Sequence, residues 1–278
     1  MRIAIVSDIH GNVTAFEAVL ADLFRVSPDL VLHGGDLVHG GSDSAGIVDR
    51  IRDLGWTGVM GNTDELQARP ESLTEFAASV PPNYKPMFDR IEEIAAFERA
   101  RLGEERIDWL STLPLVHQTE AFALVHATGT SCWRSPLPEV SDDDIDAAYR
   151  PLNRATVVYG HVHRSFIRNL PGLTVINTGS VSQSHDGDTR ASYLFSTTAC
   201  PRSGASITMW RVRSKPSKRR ECHILNGSRA CFASPVPKRI ERVSINARVK
   251  ASERRLPRAS PAQRMTLLRV SSARRYAP

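Results

Sequence analysis

The sequence predicts an α/β protein in which two β-sheets pack face to face and helices cover the outer faces. In roughly the first 60 residues, short apolar strands alternate with amphipathic helices, which is the order of a parallel sheet covered by helices. After a helical stretch, residues 115–195 contain short strands separated by turn signals. Two separate sheets fit this order better than one very wide sheet.

In the first half of the chain, the predicted elements repeat in the order strand, turn, helix. The apolar run Ile3–Val6 is the first strand, and a helical stripe that includes Phe16 and Leu23 follows it and ends before Pro28. The second strand and turn span Leu30–Asp36, the second helix spans Ala45–Leu54, and the third strand spans Trp56–Met60. Residues 72–112 are predicted to form a helical cover.

The second half is mainly β. Strands are predicted in six places after Pro114, with a helix near Asp142–Tyr149 between the second and the third. The predicted strands are Leu115–Gln118, Ala121–Val125, Ala155–Tyr159, Phe166–Asn169, Leu173–Asn177, and then a sixth and last one at Ser192–Phe195.

Length and composition set the class of protein. The chain has 278 residues, 41% of them hydrophobic, which is enough for a sizeable core. It has no apolar run of the roughly 20 residues that a membrane helix needs and no signal-peptide pattern, so we expect a cytoplasmic protein without a membrane partner. Its four cysteines form no CxxC pair, which argues against a disulfide framework and a zinc knuckle.

Charge divides the chain in two. Residues 1–198 carry 16 Lys and Arg against 27 Asp and Glu, whereas residues 199–278 carry 20 against 3. We therefore predict a folded domain over 1–198 and a basic, disordered tail over 199–278, in which only Ile207–Val212 alternates like a strand. The tail is open to two further interpretations: an arm that binds nucleic acid, or sequence translated out of frame.

Polar groups recur where the predicted strands end. Any one of them is more often a cap or a loop residue than a ligand, but seven at the same end of successive strands indicate a metal site. Oxygen and imidazole ligands without a thiolate suit Mn, Fe, Zn or Co better than Mg or Ca. Seven ligands exceed the needs of one tetrahedral ion, so we expect two ions that share Asp36. The seven residues are Asp8, His10, Asp36, Asn62, His126, His161 and His163.

Five motifs carry these residues in order: DIHGN, GGD, GNTD, an isolated His126 and GHVH. Together they resemble the calcineurin-like metallophosphoesterase superfamily, most closely its small bacterial and archaeal phosphodiesterase branch. The resemblance implies a four-layer αββα sandwich of two mixed β-sheets flanked by helices. It also implies a first metal on Asp8, His10, Asp36 and His163, and a second on Asp36, Asn62, His126 and His161. Mn²⁺ is the leading choice, with Fe, Zn, Co or Ni as alternatives.

This resemblance predicts a phosphodiesterase in which hydroxide bridging two cations attacks phosphorus in line, with Asp36 and Asn62 in the catalytic centre. A phosphomonoesterase or a protein serine/threonine phosphatase is the alternative enzyme. The alternative outside catalysis is a scaffold with this fold, or a nucleic-acid-associated protein that uses the basic tail.

One departure from the family pattern concerns proton donation. Many relatives have a histidine where this chain has Thr63, and a threonine hydroxyl is far too weak an acid to replace it. His39 is the candidate substitute, with a solvated loop histidine as the plainer interpretation. Asn12 and Arg164 adjoin predicted ligands and are candidates for contact with phosphate oxygens, although a surface salt bridge is the favoured interpretation of Arg164.

Overall fold

The computed structural model describes residues 1–197, 206–212 and 245–248. Its strands are β1 Arg2–Val6, β2 Leu30–His33, β3 Thr57–Gly58, β4 Val116–Gln118, β5 Ala123–Val125, β6 Thr156–Tyr159, β7 Phe166–Leu170, β8 Leu173–Asn177, β9 Ala191–Thr197, β10 Ser206–Val212 and β11 Ile245–Arg248. Its helices are α1 Val13–Val26, α2 Ser44–Asp53, α3 Asn62–Ala68, α4 Glu71–Ala77, α5 Lys85–Leu102, α6 Glu104–Ser111 and α7 Asp142–Tyr149, with 3₁₀ turns at Pro82–Tyr84 and Arg150–Leu152.

The strands form two mixed sheets. The first has the order β11-β10-β9-β1-β2-β3 and the second has the order β4-β5-β6-β8-β7. In the first sheet β1, β2 and β3 are parallel, and in the second β5, β6 and β8 are parallel. Both sheets therefore present the carboxyl ends of central parallel strands, which is where ligands bind in open α/β folds.

Alternation along the strands builds the layers. In β1, Ile3 and Ile5 point into a core shared with Leu124 and Val158 of the second sheet, whereas Ala4 and Val6 point to the core beneath α1 and α2. On the far side of the second sheet, Ile145 and Tyr149 of α7 cover a third core. These layers confirm the predicted αββα sandwich.

The helical cover predicted over residues 72–112 is confirmed as α4, α5 and α6. A separate small core, made by Leu66, Leu73, Phe88 and Ala95, holds α3, α4 and α5 together. Of the helices that the structure describes, none is long and apolar enough to cross a membrane.

The strand predicted at Ser192–Phe195 is confirmed as part of β9, but it pairs antiparallel with β1 in the first sheet and not with the other strands of the second half. The reason is that β9 is buried on both faces, with Leu194 between the sheets and Tyr193 under the helices. The third strand is also shorter than the predicted Trp56–Met60, because the Met60 N–H turns away to donate to the Pro114 carbonyl oxygen.

The strand predicted at Ile207–Val212 is present as β10, and it pairs antiparallel with β9 along its whole length. The first sheet therefore continues past residue 198. The rest of the basic tail, apart from β11, lies outside the described residues. Its predicted disorder, its binding of nucleic acid and its out-of-frame origin stay predictions, as do the domain boundary and the cytoplasmic location.

Candidate metal centre

All seven predicted ligands meet between the carboxyl ends of the central strands. Asp8 and His10 follow β1, Asp36 follows β2, and Asn62 begins α3 just after β3. From the second sheet, His126 follows β5, and His161 and His163 follow β6. The two sheets thus contribute opposite walls of one site.

Four of these side chains form a first cluster. The ligand atoms of Asp8, His10, Asp36 and His163 all lie within 4.8 Å of one another, and all four residues are buried. Nε2 of His163 lies 3.2 Å from Nε2 of His10 and 3.2 Å from Oδ1 of Asp8. Nε2 of His10 lies 3.5 Å from Oδ2 of Asp36.

A second cluster adjoins the first through Asp36. Nε2 of His126 lies 3.4 Å from Oδ1 of Asp36 and 3.1 Å from Oδ1 of Asn62. Nδ1 of His161 lies 2.9 Å from the same Asn62 oxygen and 3.3 Å from Nε2 of His126. One carboxylate oxygen of Asp36 therefore faces each cluster.

The spacing of these atoms fits metal ions. Ligand atoms at about 2.0 to 2.1 Å from a tetrahedral ion lie about 3.3 Å from one another, close to the separations in both clusters. Oδ2 of Asp8 is buried and has no hydrogen-bond partner among the described residues, which is the state of an oxygen that a cation would satisfy. The residues present thus fit divalent cations.

Carbonyl oxygens fix the orientation of three histidines. Nδ1 of His126 lies 2.7 Å from the Gly34 carbonyl oxygen, and Nδ1 of His163 lies 2.8 Å from that of Gln183. Nδ1 of His10 lies 3.2 Å from the carbonyl oxygen of His39. With the Nδ1 proton donated to a carbonyl, the Nε2 lone pair of each ring is free to bind a cation.

The backbone around the ligands is unusual. Five of the seven have a positive φ, between 50° and 66°, in the left-handed region that side chains other than Gly rarely adopt: Asp8, His10, Asp36, His161 and His163. Each turns the chain sharply where a strand ends and so brings its side chain into the gap between the sheets. Non-Gly residues in this conformation cluster at functional sites.

Burial and mutual charge perturb the titration of the site. Burial lowers the pKa of an imidazole, but the facing Asp36 carboxylate outweighs it and raises the pKa of His126 to about 9. For His161, burial and the charge of His126 lower the pKa to about 4. Burial alone would raise the pKa of Asp36, yet the charge of His126 holds that pKa well below its usual range. A cation binds only the deprotonated imidazole, so metal binding to His126 would release a proton.

The GNTD segment supports Asp36 from the side. A Cβ on Gly61 would lie 2.1 Å from both the backbone nitrogen and Oδ1 of Asp36, so only glycine fits there. The N–H of Thr63 donates to Oδ1 of Asp36 at 2.9 Å, while the Thr63 hydroxyl donates to the Val38 carbonyl oxygen. Asp64 is buried and accepts hydrogen bonds from the N–H groups of Leu37 and Gly61, so it holds this segment against the turn after β2.

The remaining candidate residues lie at the edge of the site. Nδ1 of His39 is 3.7 Å from the Glu98 carboxylate. The Asn12 side chain caps α1 through the Ala15 N–H and donates to the Ser182 hydroxyl. Arg164 forms a salt bridge with Glu139. Proton donation by His39 and phosphate contact by Asn12 or Arg164 stay predictions.

Sequence reasoning missed the contribution of residues 177–188, to which it assigned no chemistry. Gln183 supplies the carbonyl that orients His163, and the His185 ring stacks on that of His163 with centroids 4.8 Å apart. A backbone carbonyl cannot be identified from residue type, but His185 could have been noted in the sequence as a further histidine near the predicted ligands.

Comparisons with known proteins agree with this geometry. The calcineurin-like phosphoesterase superfamily domain matches residues 1–199. The chain is 28% identical over 213 residues to protein MJ0912 of Methanocaldococcus jannaschii, covering 69% of this chain and 80% of that protein. It is 32% identical over 140 residues to a symmetrical bis(5′-nucleosyl)-tetraphosphatase of Methylococcus capsulatus, covering 49% of this chain and 46% of that protein.

Solved structures share the fold. A metallophosphoesterase from Sphaerobacter thermophilus superposes with a TM-score of 0.57 at 24% identity, covering 77% of this chain and 90% of that one. The hypothetical protein PH1004 from Pyrococcus horikoshii OT3 superposes with a TM-score of 0.65 at 15% identity, covering 77% and 88%. Because the family domain matches residues 1–199 of the 278, the chain belongs to the calcineurin-like phosphoesterase superfamily.

Proposed function

We propose that this protein is a phosphodiesterase that uses two divalent cations held on either side of Asp36. The observation that carries the proposal is the position of that carboxylate, with Oδ1 3.4 Å from the His126 imidazole and Oδ2 3.5 Å from the His10 imidazole. A carboxylate that faces two ligand clusters is suited to join two cations at the separation of about 3.5 to 4 Å found in two-metal hydrolases.

Each cluster has a complete ligand set for one cation. Asp8, His10 and His163 would hold the first, and Asn62, His126 and His161 would hold the second. When bound, such cations supply Lewis acidity, which lowers the pKa of water and stabilises the charge that builds on phosphate oxygens. The mixed oxygen and imidazole set favours Mn²⁺ over Mg²⁺.

Preference for substrates with good leaving groups, among them aryl diesters and polyphosphates, follows from Thr63. Its hydroxyl is buried and donates to the Val38 carbonyl, so it protonates no leaving group. A substrate whose leaving group is already a weak base has little need of such a proton. The tetraphosphatase relative supports this class, since a phosphate released from a polyphosphate is a weaker base than an alkoxide.

The test is hydrolysis of bis(p-nitrophenyl) phosphate beside p-nitrophenyl phosphate. The protein is stripped of metal with a chelator, checked for folding, and assayed before and after Mn²⁺, Zn²⁺ or Mg²⁺ is restored. We expect no hydrolysis without metal, recovery with Mn²⁺, and a diester rate at least tenfold above the monoester rate. A higher monoester rate would make the protein a phosphomonoesterase, and no hydrolysis by folded, metal-bound protein would refute the proposal.

A further inference from the structure

A cavity of about 640 Å³ lies beside the second ligand cluster. His161 belongs both to this cavity wall and to that cluster, so a ligand in the cavity is next to the metal centre. The volume is within the range of small-molecule sites. Besides His161, the walls include Phe76, Trp133, Arg134, Arg164 and His185.

Two aromatic rings form one wall of this cavity. The ring of Trp133, in the loop after β5, stacks on that of Phe76 in α4, with centroids 5.1 Å apart and an interplanar angle of 30°. The indole N–H of Trp133 donates to Oε2 of Glu65 at 2.7 Å, and the Cys132 thiol donates to the same oxygen at 2.9 Å. The aromatic wall is thus held in place before any ligand arrives, which lowers the entropy lost on binding.

The rest of the lining carries two arginines, Arg134 and Arg164, together with His185, Ser135 and the apolar Leu137 and Val162. The Arg134 guanidinium lies 5.1 Å from the centroid of the Phe76 ring and donates to the Ser79 hydroxyl. Of the lining residues that the structure describes, none is an Asp or a Glu. Glu139 pairs with Arg164 from outside the lining. The cavity therefore combines a stacking surface with positive charge.

We propose that this cavity is a nucleotide subsite, in which Trp133, held in place by Phe76, stacks on a nucleobase and Arg134 and Arg164 bind a phosphate group of the same substrate. The inference rests on the proposed function, because it assigns the substrate class of that site: phosphodiesters and polyphosphates that contain a nucleoside. An aromatic side chain is a suitable base-binding surface because every nucleobase has a π-face. Arginine is the usual partner of phosphate oxygens.

The test compares two ligands that differ only in the base. Dissociation constants of AMP and of ribose 5-phosphate are measured by calorimetry on the metal-loaded full chain. We expect AMP to bind at least tenfold more tightly, and Trp133→Leu to reduce that ratio about tenfold. Trp133→Phe, which keeps a ring for stacking, should restore much of the ratio. Arg134→Gln should weaken both ligands and leave the ratio unchanged.

Phe97→Leu is the matched control. Phe97 is an exposed ring on α5 with an arginine, Arg101, 5.6 Å from its centroid, and it is absent from the cavity wall. Its replacement should leave the ratio unchanged, whereas Phe76→Leu should lower it. Equal binding of AMP and ribose 5-phosphate, or a ratio that Trp133→Leu does not change, would overturn the subsite.

Competition separates this inference from the proposed function. AMP should inhibit hydrolysis of bis(p-nitrophenyl) phosphate competitively, with an inhibition constant equal to its dissociation constant. Noncompetitive inhibition would place AMP elsewhere and overturn the subsite. If the metal-loaded protein hydrolyses no ester, the proposed function fails, and the calorimetric ratio still decides whether the cavity binds nucleotides.

Discussion

Replacing Asp36 by asparagine removes one negative charge and little else. Asparagine has nearly the same shape and can keep the hydrogen bond that Oδ1 accepts from the Thr63 N–H. The carboxylate oxygens lie 3.4 and 3.5 Å from imidazole nitrogens on opposite sides. At such distances a pair of unit charges interacts by about 4 to 5 kcal/mol for an effective dielectric constant near 20. Since about 1.4 kcal/mol is a factor of ten in affinity, Asp36→Asn should weaken each bound cation at least about 1000-fold.

The assay is metal content and affinity. Protein equilibrated with buffered Mn²⁺ is analysed by atomic emission, and both binding constants are measured by competition with a chromophoric chelator. The matched control is Asp22→Asn. Asp22 is also a buried aspartate, but its carboxylate accepts from Arg25 and from the Tyr193 hydroxyl in the core under α1. We expect the control to keep two ions and to lose only thermal stability.

Two results would refute the reasoning about Asp36. If Asp36→Asn loses one ion while the other binds within threefold of the wild-type affinity, the carboxylate serves a single ion. If both ions bind within tenfold of wild type, the two imidazole-lined clusters hold metal without it, and the dinuclear centre does not depend on a shared carboxylate.

Three further predictions concern the surroundings of the site. Gly61→Ala should lower the free energy of unfolding by about 1 to 3 kcal/mol in urea titrations, because its Cβ would overlap Asp36; unchanged stability would show that the loop yields freely. In metal-free protein, the raised pKa of His126 increases the free energy of unfolding. This contribution is complete below pH 6.5 and is lost as the pH rises through about 9, a loss of up to about 3 kcal/mol. Bound Mn²⁺ should abolish the pH dependence, and a free energy of unfolding in urea that does not change with pH in metal-free protein would contradict this. Across aryl diesters, kcat should fall steeply as the pKa of the leaving phenol rises. Thr63→Val should leave the slope of log kcat against that pKa unchanged, because the Thr63 hydroxyl already donates to the Val38 carbonyl oxygen. A steeper slope in the variant would mean that the hydroxyl takes part in proton transfer.

The candidate metal site could be predicted from sequence because its chemistry lies in side chains at fixed places in the chain order. Asp8, Asp36 and His126 each follow an apolar strand, and parallel strands bring such positions to one edge of a sheet. The layer order followed from the same alternation of strands and helices. The site residues and the fold class could therefore both be predicted, because the same alternation of strands and helices defines the layers and the strand ends.

The pairing of β9 with β1 in the first sheet could not be predicted from the sequence. The residues of β9 alternate like those of any strand that is buried on both faces, and the sequence does not say which partner covers them. Pairing between β9 and β1 joins residues almost two hundred positions apart, such as Ile5 and Leu194. The nucleotide cavity is hidden in the same way, because Phe76 and Trp133 meet only through the tertiary packing of α4 against the loop after β5.

The left-handed backbone explains why these residue types serve as ligands here. Outside glycine, Asp, Asn and His are the residues most enriched at positive φ, and five of the seven ligands are aspartate or histidine in that region. A sharp turn at the end of each strand aims these side chains between the sheets, at an expense of about 1 to 3 kcal/mol for each residue. Cations that bind only the folded chain would offset this strain and the repulsion among buried like charges. The metal centre should therefore contribute to the stability of the fold as well as to its chemistry.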